Sequence, residues 1–98
     1  MPKQPTDERP SRVHKRSPRY LREAKMLGLR IRRLRETEGW TLEQTADRCD
    51  LDFKHLQKIE SGQLNVTLVT LVRLAVGFRQ PMGALFADTP PRAKKAKG

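Results

Sequence analysis

Along residues 27–86 the apolar positions recur at helical spacing, and nowhere do they alternate long enough to make a credible strand. Leu27, Ile31 and Leu34 form one stripe, ringed by Arg30, Arg32, Arg33 and Arg35. Ser17-Pro18 has the form of a helix start, a cap followed by proline at the first helical position, and Gly39 suits the residue past the end. Gly28 lies inside this pattern, so 18–26 reads as a helical extension either separate from 27–38 or frayed from it. Thr41 can cap a second helix with Gln44 as its reciprocal partner. Cys49-Asp50-Leu51 leaves room only for a tight turn, with Asp50 suited to a left-handed backbone, and Asp52 can cap a third helix. Leu51, Leu56 and Ile59 would lie beneath that helix, with Phe53, Lys54, Gln57 and Lys58 facing out. Thr67 can cap a fourth helix carrying Leu68, Leu71, Leu74 and Ala75, which Gly77 and the FRQP segment would end. Pro81 suits a short last helix whose Met82, Leu85 and Phe86 close the core, with Trp40 as a core plug. Val69, Val72, Val76 and Phe78 exceed what one core stripe needs; they suit either a dimer contact or packing on 18–26 of the same chain. The expectation is an all-α fold of about five helices in roughly sixty residues.

Charge changes that picture at the ends. The 98 residues carry 21 Lys or Arg against 11 Asp or Glu, a net +10. Residues 1–25 hold eight basic and three acidic side chains, 26–86 nine and seven, and 87–98 four and one. The flanks therefore supply most of the excess, and an acidic partner, nucleic acid first, is expected. Residues 1–16, rich in Pro, Lys, Arg and Ser, read as a disordered basic arm, either a solubilising tail or a segment that tracks phosphates. Residues 87–98 read as a second disordered basic tail. No apolar run is long enough for a membrane span, the N-terminus has no apolar core of a secretory signal, and the single cysteine excludes an internal disulfide. These features suggest a cytoplasmic, nucleoid-associated protein with no membrane partner.

The same residues argue against catalysis. One Cys and two His do not make a zinc set, no nucleophile–base pairing is supported, and no glycine-rich phosphate cradle is present. Glu43, Asp47, Asp50 and Asp52 cluster, but carboxylates near helix N-termini are ordinary dipole partners. We expect no enzyme activity, no metal and no cofactor.

Residues 27–86 resemble the five-helix, helix-turn-helix domain of lambdoid phage repressors and the wider Xre-type regulators. The likeness runs through LGLRIRRLRETEGWTLEQTA, LDFKHLQKIESGQLNVTLVTLVRLA and PMGALF, and is strongest at IESG and NVTL. NVTLVTLVRLA is also similar to the small controller proteins of restriction–modification systems. The resemblance implies that Thr41–Arg48 crosses a DNA backbone and Phe53–Ser61 enters the major groove. It assigns base-facing positions to Asp52, Phe53, Lys54, Gln57 and Lys58: the lysines to guanine, Gln57 to adenine, Phe53 to a thymine methyl. It places Thr41 on one phosphate through its hydroxyl or N–H, Gln63 and Asn65 on another, and pairs Arg35 with Glu60. Leu42, Thr45 and Asp50 depart from the usual Gln, Leu and Gly of the family, and Asp52 suits DNA only as a helix cap or opposite cytosine.

Three functions follow. The first is a sequence-specific regulator of transcription that binds double-stranded DNA as a homodimer on a two-fold operator and acts by occluding a promoter or contacting RNA polymerase. The second is a protein-interaction module, an antitoxin or coregulator, kept open by Phe53 and His55 on the reading face. The third is a non-specific nucleic-acid binder driven by its tails. A domain of this size buries only about 60% of its unfolded surface, which favours a dimer.

Overall fold

The computed structural model describes residues 9–63 and 65–87. Among these, helices α1 (Pro18–Glu38), α2 (Leu42–Arg48), α3 (Phe53–Glu60) and α4 (Leu68–Phe78) are joined by short turns, with no strand. The fifth expected helix is a 3-10 turn, Met82–Leu85, introduced by Pro81. A second 3-10 turn, Pro10–Arg12, stands ahead of α1. The expected disordered arm falls outside the described residues at 1–8, and the expected tail at 88–98. Residues 9–16 depart from the expectation of disorder. The Ser17 N–H and hydroxyl both donate to the His14 carbonyl at 3.0 Å, and the Arg16 N–H donates to His14 Nδ1 at 3.1 Å.

Each helix starts where a side chain can accept the unpaired N–H groups of the first turn. Ser17 accepts from Tyr20, Asp52 from Lys54 and His55, and Thr67 from Thr70. Thr41 accepts from Gln44, whose side chain accepts the Thr41 N–H in return. Gly39, at φ 76°, ends α1 in the left-handed region. The end of α4 differs from expectation: the helix runs through Gly77 to Phe78 and is capped by Arg79, a left-handed residue that is not glycine. Gly77 is small because α4 meets the end of α2 there; a Cβ would collide with Cys49.

Gly28 likewise does not break the first helix. α1 is unbroken for 21 residues, and Gly28 is buried under the last turn of α3. A Cβ would overlap the carbonyl oxygens of Ile59 and Glu60, so glycine is what permits the approach of α1 to α3. Leu27, Ile31 and Leu34 of α1 then meet Leu56 and Ile59 of α3, Leu74, Ala75 and Phe78 of α4, and Leu85 in one cluster. No residue from Pro18 to Met26 belongs to that buried cluster. Trp40 is half-buried and stacks on Phe78, with ring centres 5.4 Å apart and planes at 16°. The Arg48 guanidinium covers the indole at 4.6 Å. Phe78, only 3% exposed, is thus a core residue and no part of an outer surface, whereas Val69, Val72 and Val76 stay exposed and are not covered by residues 18–26.

Two stability tests follow. Gly28→Ala should lower unfolding free energy by about 1–3 kcal/mol, the usual cost of overpacking, whereas Gly83→Ala, with open space around it, should leave the thermal midpoint almost unchanged. The second concerns pH. Burial pushes the Cys49 thiol up to about 11 from 9.0, so the folded state holds this proton more tightly than the unfolded state. The associated stability is complete below about pH 9 and lost as pH rises through about 11. Denaturation curves of Cys49→Ala should therefore fall less steeply over that range than those of the wild type.

Candidate nucleic-acid interface

The turn between α2 and α3 is set by one residue. Asp50 has φ 55°, which reverses the chain and lets the Leu51 N–H donate to the Ala46 carbonyl at 2.8 Å. Ala46 is buried where the two helices come together, and its neighbour Thr45 is fully buried. The Thr45 hydroxyl donates to the Thr41 carbonyl at 2.8 Å, so a polar group at an apolar position has its partner inside α2.

The position of α3 is fixed by Arg35. Its Nε donates to Glu60 Oε2 at 2.7 Å and its Nη2 to Glu60 Oε1 at 3.1 Å, a two-point contact of planar groups. Its Nη1 donates to the Trp40 carbonyl at 3.1 Å. The two side chains are only 15% and 9% exposed. The hydrogen bond to Glu60 raises the Arg35 pKa from its ordinary value against the opposing effect of burial. α1, the α1–α2 junction and the end of α3 therefore meet at one guanidinium.

With α3 so held, Lys54, Gln57 and Lys58 lie on its solvent side. Phe53, expected there too, is half-buried, with its ring packed on the core cluster. The Asp52 carboxylate is committed to its cap, with Oδ2 accepting from Lys54 N–H at 3.0 Å and His55 N–H at 3.3 Å. Thr41 is exposed at the start of α2, but its N–H already donates to Gln44 Oε1 at 2.9 Å, leaving the hydroxyl proton as its available donor. Gln63 and Asn65 are exposed after α3, and the Gln63 N–H closes back on the Lys58 carbonyl at 2.9 Å.

A shallow groove along one flank of α3 brings Asp52, Lys54, His55 and Lys58 together with Asn65 and with two residues that sequence patterning did not assign to the interface, Thr67 and Thr70. Thr67 and Thr70 are joined through their hydroxyls at 3.2 Å. The signal for them lay in the Thr67 cap, which fixes the start of α4 beside α3. The groove offers two ammonium groups, an imidazole, an amide and hydroxyls, a donor set suited to phosphate oxygens and to purine edges.

A short, capped, amphipathic helix held after a tight turn on a capped partner makes this a helix-turn-helix protein. The chain belongs to the family described as Helix-turn-helix domain, whose profile matches residues 26–88, and it is Xre-like within that class. Among solved structures it is similar to the restriction-modification controller protein C.AhdI from Aeromonas hydrophila, at 32% identity and TM-score 0.65 over 66% of this chain and 98% of that one. It is also similar to an HTH_3 family transcriptional regulator from Vibrio cholerae, at 27% identity and TM-score 0.68 over 72% of this chain. This chain spans only 40% of the length of the second structure. No curated protein matches the chain. Among the described residues, no helix is long and apolar enough to cross a membrane.

The Arg35–Glu60 contact gives a direct test. Glu60→Leu or Arg35→Met leaves one charge with little solvent and should cost about 3 kcal/mol. The double variant Arg35→Met/Glu60→Leu should recover part of that loss, and a double-mutant cycle by chemical denaturation measures the coupling.

Proposed function

We propose that this protein is a DNA-binding regulator of transcription that reads a two-fold operator as a homodimer. The observation that carries the reading is the placement of α3. It is clamped to α1 through Arg35 and Glu60, its apolar side is buried, and Lys54, Gln57 and Lys58 stand on its exposed side. In the major groove, Lys54 and Lys58 donate to guanine O6 or N7, and Gln57 pairs with adenine. Phe53 reaches a thymine methyl with the edge that packing leaves exposed. The Thr41 hydroxyl, Gln63 and Asn65 hold the backbone on either side of the groove and set the angle of approach. Asp52 acts through its cap, stabilising the helix that carries the reading side chains.

The homodimer is supported by α4. Leu68, Val69, Val72 and Val76 form a continuous exposed stripe, with Val76 70% exposed. Two such stripes packed together remove apolar surface from water at about 25 cal/mol per Å². A dimer that presents two copies of α3 to one face of the DNA would read half-sites about 34–36 Å apart. Both solved relatives are regulators by description, one a controller in a restriction-modification system. Regulation then works in the cytoplasm by covering a promoter or by contacting RNA polymerase from an adjacent site.

Selection of bound DNA from a random pool, with the full chain at physiological salt, should enrich a palindrome with that spacing. Lys54→Ala and Lys58→Ala should each relax preference at one or two base positions by about 1–3 kcal/mol. Wild-type preference in both variants would mean that α3 does not read the bases.

A further inference from the structure

The first two turns of α1 lie outside the buried core. The family profile begins at residue 26, yet α1 begins at Pro18, so roughly 12 Å of helix precedes the shared domain. These turns are nevertheless built as rigid structure. Ser17 caps the first turn, Pro18 presets it, the His14–Ser17 turn braces its start, and Arg19 pairs with Glu23 at 3.0 Å. Between Arg9 and Lys25 stand seven Lys or Arg and a single carboxylate, Glu23. The helix spends its surface on charge.

Its placement is also specific. Gly62, in the left-handed region at φ 77° just after α3, packs directly on the α1 backbone; a Cβ there would lie 2.9 Å from the Lys25 Cα. Lys25 therefore sits against the loop that carries Gln63 and Asn65. From that point toward its N-terminus α1 runs past the end of α3. Arg22 lies three residues from Lys25, on the same side of the helix, and both are exposed.

We infer that the α1 extension is a second DNA contact, in which Arg22 and Lys25, with Lys15 and Arg16 at the helix start, bind the phosphate backbone beyond the major-groove half-site. The inference rests on the reading that α3 enters the major groove. The extension continues the same interface: the Gln63–Asn65 loop holds one phosphate, and the helix packed on that loop holds those that follow. Such a contact adds affinity and salt dependence without adding base preference. It also resolves an imbalance, since residues 26–86 are nearly neutral and phosphate attraction has to come from elsewhere. A protein partner is the weaker occupant. Leu21, Met26 and Leu29 are exposed on this part of α1 but are interrupted by Arg22 and Lys25.

The test compares the full chain with Arg22→Gln/Lys25→Gln and with Arg73→Gln/Arg79→Gln, which removes the same charge from α4 and its cap. Thermal melts by circular dichroism confirm that each variant is folded. Affinity for the selected operator is measured across a salt series. We expect the extension variant to bind about 10-fold or more weakly at low salt, with log Kd depending on log salt by about 0.9 less per phosphate lost, while its ranking of operator variants is unchanged. A hydroxyl-radical footprint should lose backbone protection outside the half-sites. The α4 variant should keep both slope and footprint. An extension variant with the wild-type slope and footprint overturns the inference. So does an extension variant that loses self-association while its salt slope and footprint stay those of the wild type, since the extension is then a protein contact. If the wild type shows no sequence preference but the slope still falls in the extension variant, the phosphate contact stands and the regulator reading fails.

Discussion

A single guanidinium organises this molecule. Arg35 ties the end of α3 to α1 and to the Trp40 carbonyl, with hardly any water around it. The contact works only because Gly28 allows α1 to lie against the carbonyl oxygens of Ile59 and Glu60. Backbone proximity brings the carboxylate within reach, and the two-point ion pair then fixes how α3 is rotated about its own axis. Rotation decides which residues face solvent. Burial of Leu56 and Ile59 and the ion pair at the far end of the helix act together to leave Lys54, Gln57 and Lys58 as the outward side chains.

Under the proposed function, charge and specificity fall to different parts of the chain. The globular part is almost balanced, and its reading helix mixes two lysines with an amide, an imidazole and a capping carboxylate. The excess positive charge lies before and after it. Long-range attraction and close discrimination are therefore separately adjustable: one responds to salt and the other to hydrogen-bond geometry.

Much of this was legible in the sequence, because caps and turns are local. Ser17-Pro18, the Thr41–Gln44 box, Asp50, Asp52 and Thr67 each act within three or four residues, and each takes the conformation its chemistry implies. The Arg35–Glu60 contact was reachable only through family resemblance, since nothing local joins residues 25 positions apart. What patterning misassigned depends on neighbours distant in sequence. Gly28 and Gly77 look like helix breakers, but both are places where another backbone presses close. Phe78 looks like surplus surface until Trp40 is found stacked on it. Phe53 looks outward, but its ring packs on the core. The last element is a four-residue 3-10 turn, Met82–Leu85, which follows Pro81 and delivers Leu85 to the core.

The Asp52 cap carries a consequence for how such a protein can diversify. Under the proposed function, Lys54, Gln57 and Lys58 are exposed side chains that answer to DNA alone, so substitution there is a cheap evolutionary experiment. Asp52 answers to two masters: its carboxylate holds the Lys54 and His55 amides and also forms one wall of the groove. Asn, Ser and Thr preserve that cap's side-chain acceptor with a different charge or shape. Descendants of this sequence acquiring new operators should therefore drift freely across the middle of α3 while its N-cap stays within the few residues that can hold it.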